Sequence, residues 1–352
     1  MRSLPIWAGL SILLLSCQSN QNKDTIYENE EPLRPNIIYI MADDLGYGDI
    51  GVYGQQSIQT PNIDQMAHEG IMFTQHYAGS PVCAPSRSVL MTGQHTGRTY
   101  VRGNMQAEPY GQIPLIAEET TVAEALKKAG YVNGIIGKWG LGVENTSGFP
   151  LDQGFDFFYG YLDQVLAHNY YPEYVWRNNE KEYLDNEVRY LDTTAWHKGL
   201  GSYATKKVDY THDLFSNEAL EFIERNQDTS FFLYLPYTIP HNNGEAPVGE
   251  KMEVPDWDIY TDSDWDAETK SYAAMITRMD KDVGRILERL KELGLAENTL
   301  VIFTSDNGPM QEDPHEFTRI FNSNGPFRGA KRDLYEGGIR EPFIAWWPGT
   351  VA

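Results

Sequence analysis

The sequence predicts an α/β fold, a large mixed and mostly parallel sheet flanked by helices. Three observations carry this expectation. Apolar runs of strand length recur along the chain, helical segments alternate with them, and polar residues follow directly after four of the runs. In open α/β sheets, sites form in the crevice beyond the carboxyl ends of the strands. Residues far apart in the chain are therefore candidates for one site.

Asn36 to Met41 is the first buried strand, and it runs into Asp43-Asp44 and a glycine-rich turn. Thr121 with Glu124 forms a capping box, opening a helix that ends at Ala129 with Gly130 as its stop. Val132 to Ile136 reads as a strand leading to Gly137-Lys138. Asp213 to Arg225 reads as a helix. Phe231 to Leu235 is a strand followed by His241, and Glu268 to Leu293 is a long amphipathic helix. Leu300 to Phe303 is a strand running into Asp306-Asn307, and Phe343 to Trp347 is a fifth strand. Gly160 to Trp196 reads as an irregular segment rich in Tyr and Trp. It either shapes a substrate pocket or packs rings on the sheet.

With 41% hydrophobic and 22% charged residues, the composition is that of a globular chain. Lys and Arg number 28 against 50 Asp and Glu, a net charge of −22, which argues against a nucleic-acid partner. A small anionic substrate needs only a local cluster of positive charge. At the N-terminus, Arg2 precedes an apolar run, Pro5 to Leu15, too short to span a bilayer. It ends in Leu14-Leu15-Ser16-Cys17, which resembles a bacterial lipobox and implies a lipid on Cys17. The expected organisation is a signal peptide over 1–17, a polar tether over 18–34 and a catalytic domain over 35–352. The expected location is outside the cytoplasm, as a periplasmic or outer-membrane surface lipoprotein of a bacterium. Cys17 and Cys83 are the two cysteines, and with Cys17 assigned to the anchor, Cys83 is left for chemistry.

The most informative stretch is Cys83-Ala84-Pro85-Ser86-Arg87, followed by Thr92-Gly93. It resembles the signature C-x-P-S-R-x-x-x-x-T-G of the formylglycine-dependent, arylsulfatase-like sulfatases, with every fixed position present. The resemblance extends over nearly the whole chain after residue 34 and implies the alkaline-phosphatase-like sulfatase fold. It implies oxidation of Cys83 to formylglycine by a formylglycine-generating or anaerobic sulfatase-maturing enzyme. One hydroxyl of the hydrated aldehyde then attacks sulfur and the other expels sulfate. It also implies a metal site of Asp43, Asp44, modified Cys83, Asp306 and Asn307. That all-oxygen set suits a hard cation, in this family usually calcium. Arg87, Lys138 and Lys331 match the family's cationic residues around the sulfate. His241 matches a histidine that protonates the leaving oxygen.

Two departures stand out. The family often has a histidine where this chain has Gly140, within Gly137-Lys138-Trp139-Gly140-Leu141-Gly142. Gly140 has no side chain to act as a base, and His168 is the candidate replacement. The chain also stops soon after Trp347, so the family's smaller C-terminal subdomain is expected to be missing. The resemblance implies hydrolysis of a sulfate ester on a sulfated saccharide. The alternatives are a phosphonate or phosphodiester hydrolase on the same scaffold, and a non-catalytic binder of sulfated glycans.

Overall fold

The computed structural model describes residues 34–108, 110–191, 200–311 and 317–351. The expected signal peptide, Cys17 and nearly all of the tether lie outside these residues. The strands and longer helices are, in chain order, β1 (Asn36–Ala42), α1 (Pro61–His68), β2 (Ile71–Tyr77), α2 (Cys83–Thr92), α3 (Val122–Lys128), β3 (Val132–Lys138), β4 (Phe157–Tyr161), β5 (Tyr174–Arg177), β6 (Glu180–Tyr183), β7 (Glu187–Tyr190), β8 (Ser202–Lys206), α4 (Thr211–Arg225), β9 (Phe231–Pro236), α5 (Ala267–Glu292), β10 (Thr299–Ser305) and β11 (Arg340–Trp346).

Nine strands form the main sheet in the order β2-β11-β10-β1-β9-β3-β4-β5-β6, while β7 and β8 pair separately. The centre, β10-β1-β9-β3-β4, is parallel throughout. Both edges are antiparallel, β11 and β2 on one side and β5 and β6 on the other. The central strands are near-continuous apolar runs because helices cover both of their faces. Ile38, Ile40, Leu233, Leu235, Val301 and Phe303 are fully buried, as are Phe215 of α4 and Ile276 of α5. Two helix starts follow capping rules. Thr121 Oγ1 accepts from Glu124 N at 3.1 Å while Glu124 Oε2 accepts from Thr121 N at 2.9 Å, and Asp266 accepts from Thr269 N at 2.8 Å.

The stretch expected to be irregular is partly regular. β5 and β6 form a hairpin through Asn178-Asn179, with Asn178 at φ 55°, and extend the sheet past β4. Five of its aromatic residues pack inward, Tyr161, Tyr170, Tyr171, Tyr174 and Trp176, while Tyr183 and Tyr190 are exposed. Trp196 lies outside the described residues. Aromatic and β-branched residues suit a half-buried pleated surface, which accounts for strand here despite weak alternation. β2 was not anticipated either. It is an edge strand with Ile71, Met72, Phe73 and Tyr77 well exposed, so it carries little of the in–out alternation that marks a strand.

Candidate active site

Parallel pairing brings the carboxyl ends of β1, β3, β9 and β10 to one rim, and each end delivers a polar group. Asp43 and Asp44 follow β1, Asp306 and Asn307 follow β10, Lys138 closes β3, and His241 lies five residues beyond β9. β1 sits between β9 and β10, so its two aspartates occupy the middle. Asp44 is held at φ 65°, a left-handed conformation that aspartate tolerates better than most residues. Its N–H donates to Asp306 Oδ1 at 3.2 Å, tying the two strand ends together.

Cys83 is the first residue of α2, so its thiol lies at a helix N-terminus, where unpaired N–H groups favour an anion. Pro85 is accommodated in the first turn, where its missing N–H forfeits no helical bond. Asn104 Oδ1 accepts from Ala84 N at 2.9 Å. Arg87 lies one turn along α2 and reaches the same site.

The cluster contains three carboxylates and three fixed cations, all buried. Lys138 Nζ is 2.7 Å from Asp43 Oδ2, and Lys331 Nζ is 2.7 Å from Asp44 Oδ2. Arg87 donates from Nε (3.2 Å) and Nη2 (2.9 Å) to Asp306 Oδ2, lies 3.6 Å from Asp43 Oδ1, and bonds the carbonyl of Lys138 through Nη1. The Cys83 thiol is 3.5 Å from both Asp43 Oδ1 and Lys331 Nζ. With three charges of each sign, the formal charge of the cluster is zero.

Burial disfavours an ionised form, and the balance between burial and charged neighbours differs from group to group. For Asp43, burial is outweighed by Lys138, His241, Arg87 and Lys331, which hold the carboxyl well below its usual range. Burial and Asp43 raise Asp306 against the pull of Arg87. Burial pushes the Cys83 thiol up to about 12 despite Lys138 and Lys331, so at neutral pH it is protonated. His241 is held well below its usual value by burial and then Lys331, so its ring is neutral.

Ligand atoms of Asp43, Asp44, Cys83 and His241 lie within 4.8 Å of one another. Asn307 Nδ2 donates to Asp44 Oδ1 (2.7 Å) and to Gly308 O (2.9 Å), which leaves its carbonyl Oδ1 buried with no partner. His241 Nδ1 faces the carbonyl of Asn242 at 2.7 Å and must carry the proton. Its Nε2 lone pair therefore points towards Asp44 Oδ2 at 3.5 Å, one acceptor facing another. An orphaned amide oxygen and facing acceptors beside three carboxylates fit a bound hard cation.

His168 does not reach Cys83. Among the described residues the thiol's polar contacts are Asp43 and Lys331. Instead its ring stacks on His241, with centroids 4.6 Å apart and planes at 14°, and its Nδ1 lies 2.8 Å from Glu245 Oε2. The expectation that His168 takes over a base's position at Cys83 is corrected to a place behind His241. Gly140, at φ 74°, is backed by Gln164. A Cβ added at Gly140 would meet Gln164 Cγ at 2.8 Å and Nε2 at 3.0 Å. Gln164 is buried and donates to Gly140 O at 3.4 Å. Sequence reasoning missed Gln164, Glu245 and Asn104, whose loops carry no motif. It also missed Glu341 of β11. That side chain is fully buried with both oxygens unpartnered, and burial, then Asp306, Asp44 and Asp49, keep its carboxyl well above the usual range.

The family model described as "Sulfatase" matches residues 35–352. The chain belongs to the sulfatase family. It is 36% identical over 331 residues to the N-acetylgalactosamine-6-sulfatase of Homo sapiens, covering 91% of this chain and 58% of that protein. It is 31% identical over 408 residues to the N-acetylgalactosamine-6-O-sulfatase of Bacteroides thetaiotaomicron, covering 99% and 74%. Among solved structures, Ps i-CgsB in complex with k-i-k-neocarrahexaose superposes with a TM-score of 0.73 at 29% identity, covering 90% of this chain and 67% of that one. The phosphonate monoester hydrolase of Agrobacterium radiobacter, at 19% identity and a TM-score of 0.55, shares the fold. This family member thus spans little more than half the length of its mammalian relatives.

Proposed function

We propose that this chain hydrolyses a sulfate ester on a carbohydrate, with position 83 as the attacking group. One observation carries the reading: a buried cysteine at a helix N-terminus, 3.5 Å from both a lysine and an aspartate, inside a charge-balanced cluster. As a thiol, Cys83 is protonated and unsuited to attack. In the reading it is therefore converted to formylglycine, whose hydrate supplies one hydroxyl for attack on sulfur and a second for release of sulfate. Calcium fits Asp43, Asp44, Asp306, Asn307 and the oxygen at position 83, and when bound it supplies Lewis-acid polarisation of the sulfate.

The chain's own residues do the remaining work. Lys138 and Lys331 offset charge on the sulfate oxygens, and the α2 N-terminus adds its dipole. Arg87 holds Asp306 and the carbonyl of Lys138, and so fixes the strand ends. His241 is neutral in the resting site. An anionic sulfate beside it favours protonation at Nε2, and that proton passes to the leaving oxygen. A carbohydrate substrate is supported by the relatives' names and by the neocarrahexaose complex of the structural neighbour. We extend the proposal to export and lipid anchoring through Cys17, supported by the Leu14-Leu15-Ser16-Cys17 pattern.

The test is to co-express the chain with a maturation enzyme and assay it with calcium on defined sulfated saccharides and on matched phosphate and phosphonate esters. Free sulfate should appear from at least one saccharide, and Cys83→Ala should release none. Mass spectrometry should find an aldehyde at position 83. Turnover by protein that carries only the thiol overturns the reading.

A further inference from the structure

A cavity of about 470 Å³ lies beside the loop that leaves His241, lined in part by Lys207, Glu250, Glu253, Asp256, Trp257 and Ser271. It opens at the same end of the sheet as the catalytic cluster, for a topological reason. β9 and β10 both run parallel to β1, so α5 between them must run the other way and start at the rim where β9 stops. Ala267 and Ser271 near the start of α5 line the cavity. The loop between His241 and α5 supplies most of the rest. Asn243 N–H donates to Lys251 O at 2.8 Å and folds this loop back on itself. Two residues, one hydrogen bond and two more residues separate His241 from Glu253, a span of at most about 20 Å.

We infer that this cavity is a saccharide subsite, holding an unsulfated sugar ring of the same oligosaccharide whose sulfate ester occupies the catalytic cluster. The inference rests on the hydrolase reading. Three features identify the ligand class. Glu253 is 6% exposed, and Lys207 Nζ pairs with its Oε1 at 2.5 Å, but its Oε2 is buried with no partner. Glu253 lines the cavity, and an acceptor on it without a donor is one that a sugar hydroxyl satisfies once the carboxyl group turns outward. The Trp257 indole is held in place by its N–H to Ser271 Oγ at 3.0 Å and by the Lys270 amine 5.1 Å from the ring centre, so it presents a fixed apolar platform. The lining carries three carboxyl groups against one lysine already paired with a carboxylate, a field that disfavours a second sulfate.

Two measurements test this. The first is the ratio of KM for a tetrasaccharide sulfated on one terminal sugar to KM for 4-nitrophenyl sulfate, which has no further rings. Trp257→Ala and Glu253→Gln should each raise this ratio about tenfold; being internal to each variant, the ratio is insensitive to partial misfolding. The second is calorimetry of the desulfated tetrasaccharide on the Cys83→Ala chain, where binding should be detectable and Trp257→Ala should weaken it. A ratio within twofold of wild type in both variants, or no binding of the desulfated sugar, overturns the subsite. If the wild type turns over neither ester, the hydrolase reading fails and calorimetry alone decides the subsite.

Discussion

Replacing Lys138 by Met removes a buried cation at nearly constant volume and tests the charge balance of the cluster. Lys138 and Asp43 are each at most 1% exposed and lie 2.7 Å apart. At an effective dielectric of about 20, that separation corresponds to roughly 6 kcal/mol of attraction, against which stands the regained cost of desolvating the ammonium. Asp43 keeps Arg87 at 3.6 Å, so it is not left wholly unpaired. The expected net loss is about 3 kcal/mol, the low end of the range for breaking a buried pair. In thermal unfolding at pH 7 without metal this should lower Tm by roughly 4–5 °C. The variant cluster carries one net negative charge, so calcium should bind it more tightly by calorimetry and recover much of the lost Tm, while sulfate release stays low. A Tm change under about 2 °C, or weaker calcium binding than wild type, would refute the reasoning that Lys138 balances Asp43.

Gly140→Ala should cost about 1–3 kcal/mol, from its φ of 74° and the contact with Gln164; adding Gln164→Ala should recover the contact part alone, checked by a double-mutant cycle in urea. Asp280, buried and bonded by Ile63 N–H and Asn62, has its carboxyl raised to about 6 by burial. A raised folded-state value means the native state binds the proton more tightly than the unfolded chain. Stability should therefore fall as pH rises from about 4 to 6, and Asp280→Asn should remove that slope in urea titrations. Cys17→Ala should abolish incorporation of labelled fatty acid in cells, with unchanged incorporation refuting the anchor.

The central strands were legible because each is an apolar run ended by a polar group, and parallel pairing then fixes where those groups meet. Asp43, Asp44, Lys138, His241, Asp306 and Asn307 could thus be expected at one rim before any coordinates. Arg87 followed from helical spacing after Cys83. Lys331 depended on resemblance alone, since Gly329-Ala330-Lys331 lies in a loop with no periodicity to place it. His168 was sought as a partner for Cys83 but lies against His241, a placement set by the pairing with Glu245 and visible only in three dimensions. Gln164 behind Gly140 was equally hidden, because the space beside a glycine has no signature in the chain. The hairpin of β5 and β6 was missed because Val175 is buried between the buried Tyr174 and Trp176, which masks period-two alternation.

Cys83 is 1% exposed, and the ring of contacts around it closes only with Lys331, 248 residues further along the chain. At a synthesis rate of about 5–20 residues per second, the ribosome takes roughly 10–50 seconds to travel that far. For most of this interval the thiol is outside the ribosome while its final neighbour does not yet exist. Under the proposed maturation, an enzyme that must grasp the chain around position 83 has a window measured in tens of seconds, and a finished molecule that leaves that window unmodified buries the thiol at 1% exposure.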